Sequence, residues 1–572
     1  MFKINVSNRS YKKFQIFETG SLTEVHLNNF NPIVHCLFNG DVFNYDEQHN
    51  KIELVHSIVR NSINIPCVLI LKGKTYGKIG NKYLYQAIPD DKRLPICLVK
   101  FLNPNNFQKN IINKFILVSF NAWTSKFNSH PLFTLSNMIG NVDKLDFYYE
   151  YTLYSKCLNF PIKHFNDETI NKLKSRDLDS IIEKMTNKYN VIDKTNNLNH
   201  SNEFIYAIDP IGSLDFDDAF SLEKINNEVI LSIYISNVSL WMDELDLWDA
   251  FSKRISTIYL PDRKRPMLPN ILSDNLCSLL AGEKRFAFCL EIKYNEDGHL
   301  LNSKFYNALI RVTKNFHYEQ PELIYNDKYL FALEFINKIN ANLLKLKNSI
   351  KDSHDIVAYL MICINYFSSI ELNNYKNGIF RSCKVSQNYT EEEIPNEIKD
   401  YITLWRTTRT QYVKFDDFKE HSILSLDTYV HISSPIRRLV DLLNMINIQR
   451  NLSMSNLSNK SSVFYSNWEN QLDYINTTMR LIRKVQVNCN ILNMLSNDSN
   501  LLEKEFNGYV FEKLKKSDEL YVYMIYIPEL KISSRITTRF IYSNYHPVKC
   551  NLFIILNEAN IKRKIRISIN NE

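Results

Sequence analysis

The chain has 572 residues and a formal net charge of +7, with 45% hydrophobic and 23% charged residues. The composition is ordinary for a soluble globular protein; the length predicts about three to five units, and the charge is too mild to assign a polyanion partner by itself. No run of about eighteen apolar residues marks a membrane-spanning helix.

The N-terminal stretch MFKINVSNRSYKKFQIF carries four bases and no acid. It reads as a first strand or a short tail in preference to a transit peptide, and it lacks the charged, apolar and small-residue blocks of a signal peptide. The ten cysteines are scattered without a C-x-x-C pair. Reduced thiols, a cytoplasmic location and no zinc site are therefore expected. From 1 to 160, short runs such as VHCLF, IPCVLILKG, KYLYQAI, ICLVKFL and FILVSF alternate with Asn, Asp, Gly and Pro. Evenly spaced short strands of this kind predict small barrels or sandwiches. The period turns helical over ETINKLKSRDLDSIIEKMTNKYNV, and DKTNNLNHSN reads as a loop. Strands are predicted in VILSIYISNVSLW and FAFCLEIKYN, helices over 329–372 and 436–495, and strands again from 505 to the end. Barrels flanking a mixed centre suit a protein that handles single-stranded nucleic acid.

The segment AIDPIGSLDFDDAF, from Ala207 to Phe220, sets Asp209, Asp215, Asp217 and Asp218 between apolar flanks. Carboxylates this close repel unless a cation sits among them. Oxygen ligands suit Mg2+ or Mn2+, and a pair of such ions can clamp an in-line phosphodiester attack. Pro210 and Gly212 predict a turn that brings Asp209 back toward Asp217 and Asp218. An EF-hand does not fit, because its glycine and terminal glutamate are misplaced. An aspartyl-nucleophile phosphatase and a merely solvated acidic loop both remain open on these residues alone.

Further blocks follow in order: YISNVSLW, RISTIYLPDRKRPMLPNILSDNLCSLLAGEKR, FCLEIKYNEDGHL, IRVTKNFHYEQ and, much later, YVHISSPIRRLVDLL. Together with the aspartate segment they resemble the signature blocks of the ribonuclease II/R (RNB) family of exoribonucleases, over 207–320 and 425–445. FNGDVF, IPDDKRLP and SFNAWTSKFNSHPLF with IGNVDKLDF resemble its two cold-shock barrels, and the tail from 505 its S1 barrel. The resemblance implies an α+β multidomain fold. Two cold-shock-like OB barrels would span 1–80 and 81–165, a central RNB catalytic domain 166–500, and an S1-like OB barrel 501–572. It implies Mg2+-dependent hydrolysis of single-stranded RNA from the 3′ end to nucleoside 5′-monophosphates; a monomer is the default expectation, with RNA threading past the barrels into a narrow channel.

The family's four aspartates correspond to Asp209, Asp215, Asp217 and Asp218. The resemblance makes Asp209 and Asp218 metal ligands, gives Asp217 the second ion and the attacking water, and leaves Asp215 to shape the site. Arg437 matches the arginine on the scissile phosphate, with Arg438 beside it. Without the family, the same residues read as a helix start, with Ser434 as cap, Pro435 in the first turn and Arg438 solvated. Tyr259 matches the aromatic that clamps the 3′-terminal nucleotide, and Tyr318 a tyrosine beside the last nucleotides; either would otherwise read as core. His431 and Asp441 read as structural supports, and KRKIR at 562–566 as a phosphate track or a solvated run. The chain departs from the family at Asn237 (usually Asp), Tyr234 (often His), Ala358 and Tyr359 (paired Glu) and Leu439 (Tyr). Those departures keep two rivals in view: a catalytically weakened RNB-fold RNA-binding protein, and a different phosphotransfer enzyme.

Overall fold

The computed structural model describes the chain except residues 28–29, 103–110, 125–129, 196–203, 345–348, 384–393, 407–409, 418, 499, 518, 558–561 and 571–572. Most of the loop expected over DKTNNLNHSN lies outside the described residues. The chain divides into two compact units: residues 1–159, 260–262 and 484–572 form one, and 160–259 with 263–483 the other.

The first unit is built from β-sheets. Strands Phe2–Val6, Phe14–Glu18, Glu24–Val25, Val42–Asp46 and Lys51–His56 make a five-stranded antiparallel sheet. Six strands between Ile65 and Asn141 make the next, and Ile65–Leu69 pairs with both Lys114–Ala122 and Lys82–Pro89, which closes it into a barrel. Strands Ile65–Leu69 and Lys78–Ile79, assigned to the first barrel by sequence, therefore belong to the second. Between them KGKTYG carries Gly73 and Gly77 at positive φ. A glycine-rich turn inside one sheet and a linker between two look alike in sequence. Ile4 and Phe43 from the first sheet, with Phe38 from the loop before Val42–Asp46, share one continuous core with Cys67, Val99 and Phe133 from the second and with Trp123 just past Lys114–Ala122. At the C-terminal end, five antiparallel strands from Phe506 to Ile569 enclose Val510, Tyr523, Ile525, Cys550 and Leu552.

The second unit centres on a seven-stranded sheet. Its order is Ile192–Asp193, Leu300–Arg311, Lys284–Asn295, Glu228–Ser236, Asp218–Ile225, Tyr206–Asp209, Lys314–His317. Along Glu228–Ser236, Val229, Leu231, Ile233 and Ile235 share one core with Ile336, Leu360 and Ile364, from the helices Asp327–Asn342 and Ser353–Asn374. Tyr234 joins a second cluster with Ala219, Cys289 and Ala308. Burial on both faces explains why this strand reads as a continuous apolar run. The run was predicted to reach Trp241, but the strand ends at Ser236 and a helix covers Val238–Glu244. Periodicity alone does not separate a buried strand from a buried helix. Ser353–Asn374 is long and apolar enough to cross a bilayer by length and composition, yet 61% of its most apolar window is buried in this core. The ten cysteines form no disulfide with one another.

Candidate active site

The aspartates sit where two neighbouring strands end and begin. Asp209 closes Tyr206–Asp209 and Asp218 opens Asp218–Ile225. Between them the Ser213 N–H donates to the Pro210 carbonyl at 3.1 Å, and Gly212 takes φ +80°. A side chain at that φ would be strained, so the glycine is what lets the chain reverse here. Ser278 staples the loop: its hydroxyl donates to the Leu214 carbonyl at 2.8 Å and accepts the Phe216 N–H at 3.0 Å. The Asp217 carbonyl accepts the Ser236 N–H at 2.8 Å.

Each carboxylate has its own surroundings. Asp215 accepts the Tyr259 hydroxyl on Oδ2 at 2.8 Å and the Lys264 ammonium on Oδ1 at 2.9 Å. Asp217, 2% exposed, accepts the Ile436 N–H on Oδ1 at 2.9 Å and Arg437 Nε on Oδ2 at 2.8 Å. Asp209 Oδ2 is buried and finds no donor among the described residues. Burial pushes Asp217 up to about 6 against the pull of Arg437 and the Ile436 N–H. Asp209 and Asp218 are both raised, first by burial and then by neighbouring carboxylates: Asp218 and Asp217 act on Asp209, and Asp217 on Asp218. Burial works against the Arg437 charge, but Asp217 more than compensates and keeps it a cation.

The arginine block is held as a turn. The Arg437 carbonyl accepts from the Thr257 N–H at 3.0 Å and the Ser256 hydroxyl at 2.9 Å. The helix expected from Ser434 starts at Leu439, with Arg438 at its N-cap position. The Ser434 N–H donates to Asp441 Oδ1 at 2.8 Å. Nor is Arg438 solvated: Nη2 bonds Asp441 Oδ1 at 2.7 Å. His431 is held by the Tyr412 hydroxyl at 2.9 Å, and burial followed by the nearby arginines keeps it neutral. The four aspartates, Arg437 and Tyr259 are thus brought together. The Tyr318 N–H donates to the Asp209 carbonyl at 3.1 Å, and its ring stacks on His354 with centroids 3.8 Å apart and planes 10° apart. Ala358 is exposed and Tyr359 buried.

Three residues at the site escaped the sequence reading. Lys264 stands in the basic run RKR of the block IYLPDRKRPMLP, where nothing in the sequence singles it out from its neighbours. Asp274 and His354 belong to a polar turn and a helix start, where such residues are common for capping reasons alone.

The departure at Asn237 has a local explanation. Asn237 Nδ2 donates to Asn307 Oδ1 at 2.8 Å, and its Oδ1 accepts the Ser239 hydroxyl at 2.7 Å. Asn307 in turn donates to Gln449, and Gln449 to Ser239. This neutral network is buried, with Asn237 1% exposed. Restoring the family residue with Asn237→Asp sets an anionic oxygen against Asn307 Oδ1. The expected cost is about 3 kcal/mol of stability, read by urea unfolding at pH 7. A midpoint unchanged from the parent would show that the network can invert its amides freely.

Residues 196–360 match the RNB domain family. A ribonuclease R of Buchnera aphidicola is 29% identical over 338 residues, 45% of this chain and 46% of that protein. One from Chlamydia pneumoniae is 27% identical over 304 residues, 42% of this chain and 45% of that protein. The chain spans about half the length of the curated relatives it matches. Among solved structures, Mycoplasma genitalium ribonuclease R in complex with ribose-methylated single-stranded RNA superposes with a TM-score of 0.69 at 17% identity, covering 99% of this chain and 100% of that one. Residues 196–360 are thus similar to the RNB domain, and the chain has the α+β fold of the ribonuclease R structures, with barrel-like sheets at both ends of the sequence.

Proposed function

We propose that the chain is a hydrolytic exoribonuclease that shortens single-stranded RNA from its 3′ end and releases nucleoside 5′-monophosphates. The observation that carries this reading is the meeting of Asp209, Asp217 and Asp218 with an arginine held by Asp217 at 2.8 Å. The donor set fits Mg2+ or Mn2+: oxygen only, a buried Asp209 oxygen lacking a donor among the described residues, and carboxylates that resist ionising beside one another. Among the described residues no three acidic, imidazole or thiol groups converge closely enough to hold a metal ion by themselves. Magnesium commonly takes one or two carboxylates and fills its sphere with water and substrate phosphate.

Asp209 and Asp218 would hold the ion, and Asp217 a second one together with the attacking water. Bound there, the metal supplies a hydroxide-like nucleophile and neutralises charge on the phosphate. Arg437 uses Nε on Asp217, which leaves its two terminal nitrogens for a phosphate oxygen whose charge grows in the transition state. Water adds to phosphorus, and the 3′-oxygen of the preceding nucleotide leaves. Tyr259 and Tyr318 offer rings to the last bases, which suits a sequence-tolerant enzyme. Asp441 already occupies Arg438, so Arg438 shapes the turn more than it grips RNA.

The test uses 5′-labelled single-stranded RNA with Mg2+ or EDTA, and Asp209→Asn as control. A descending ladder with mononucleotide product, absent in EDTA and in the variant, is the expected result. Tight binding without shortening would favour an RNA-binding scaffold and direct attention to Ala358 and Leu439. Turnover of small phosphate esters alone would favour another phosphotransfer enzyme.

A further inference from the structure

Lys264 ties three separate pieces of chain together. Its ammonium lies 2.9 Å from Asp215 Oδ1 and 2.8 Å from Asp274 Oδ1. Asp215 belongs to the aspartate loop, and Asp274 to the π-helical turn Leu272–Leu276. Lys264 itself lies in the two-stranded hairpin of Ile258–Tyr259 and Lys264–Arg265, where it stands directly opposite Tyr259. Both members of that cross-strand pair converge on one carboxylate, with Tyr259 donating to Asp215 Oδ2 at 2.8 Å. Asp215 therefore grips the hairpin by two adjacent side chains, and Asp274 braces the grip from behind.

The groups are sheltered but not sealed. The side chains of Lys264, Asp215 and Asp274 are 21%, 10% and 18% exposed, whereas Tyr259 is 38% exposed. The tyrosine thus has its hydroxyl fixed and its ring available. Burial opposes the Lys264 charge, but bonds to Asp274 and Asp215 outweigh it and keep the ammonium. Both Asp215 oxygens are engaged by donors from the hairpin, so this carboxylate fixes the hairpin against the aspartate loop.

We infer that Lys264 is the positioning residue that sets the Tyr259 ring against the 3′-terminal base of the substrate. The inference rests on the reading of this site as an RNA 3′-end site. Removing the ammonium leaves two sheltered carboxylates facing each other, and their repulsion drives the aspartate loop and the turn apart. The ring then loses its fixed place, and stacking with it.

The experiment titrates a short RNA carrying 2-aminopurine as its 3′-terminal base, in EDTA, so that quenching reports stacking without turnover. The wild-type protein should bind and quench, and Tyr259→Leu should lose the quench. Lys264→Met should bind about tenfold more weakly with most of the quench gone, while Lys264→Arg, whose fork can span both carboxylates, should stay within about twofold of wild type. With Mg2+ added, Lys264→Met should raise KM more than it lowers kcat; a purely structural lysine would lower the active fraction and leave KM alone. Wild-type quenching by Lys264→Met overturns the assignment, as does a Tyr259→Leu variant that quenches normally. Should Lys264→Met not fold, Lys264→Gln, which also removes the ammonium, takes its place, and wild-type quenching in that variant overturns the assignment equally. Quenching without RNA shortening by the wild type removes the exonuclease reading and leaves the Lys264 assignment standing; no binding by the wild type removes both.

Discussion

Asp217→Asn should slow the shortening of single-stranded RNA by at least about a thousandfold while RNA binding in EDTA stays within a few-fold of wild type. The substituted amide has one acceptor where the carboxylate has two. If Oδ1 keeps the Ile436 N–H, the amide NH2 faces Arg437 Nε, donor against donor. One substitution thus removes a negative charge and unseats the arginine. A rate within tenfold of wild type, measured by mononucleotide release, would remove Asp217 from the chemistry. The stability of the metal-free protein carries a second signature. Asp217 is raised to about 6 from the usual 3.8 by burial. Between those values the folded state holds a proton that the unfolded chain has released, so stability falls as pH rises through the window and stays lower above it. For Asp217 the loss is on the order of 3 kcal/mol, and Asp209 and Asp218 are shifted in the same direction. Melting in EDTA should therefore fall from pH 5 to pH 8. Asp209→Asn should flatten that fall, because Asp209 Oδ2 has no donor to lose among the described residues. Mg2+ should restore the wild-type melting temperature at pH 8. Melting that instead rises with pH in EDTA would show that the carboxylates are already compensated.

How much of this was legible beforehand follows from the range of each interaction. The turn at Pro210 and Gly212 was readable because its cause is local: a fixed φ beside a residue free to take a positive one. The strands around Leu231 and Leu290 were readable from their apolar runs. The end of the strand at Ser236 was not: the Asn237 N–H still bonds the Phe286 carbonyl in register with the ladder, while its side chain enters a network reaching Gln449, distant in sequence. The helix starts at Leu439 and not after Ser434; the Arg437 carbonyl is claimed by Thr257 and Ser256, again distant in sequence. The aspartate cluster stood out because its charges are adjacent in the chain. Lys264 did not, because the carboxylates that define it lie ten and forty-nine residues away. The family resemblance supplied what local reasoning lacked, joining Arg437 to aspartates more than two hundred residues earlier, and the Arg437–Asp217 pair is the contact where the two meet.

That pair is also where stability and catalysis should separate. Arg437→Ala leaves the Asp217 carboxylate buried with only the Ile436 N–H for compensation. Breaking a fully buried pair costs about 3–5 kcal/mol; the Arg437 side chain is 43% exposed, so water replaces part of its bond and about 2 kcal/mol is expected. The double variant Arg437→Ala with Asp217→Asn has no charge left to strand and should recover most of that loss, so the two changes should be strongly non-additive in unfolding free energy. Activity should behave otherwise. Arg437→Ala should lower kcat by about two to three orders of magnitude, and the double variant should regain none of it. Arg437→Lys divides the two roles further. A single ammonium can stay on Asp217 and hold the fold, but it cannot bond Asp217 and reach a phosphate with two further donors. It should unfold within about 1 kcal/mol of wild type and still lose most of its rate. Additive stabilities would mean that the 2.8 Å contact carries no energy. A lysine variant of full activity would mean that charge alone, without the fork, serves the phosphate.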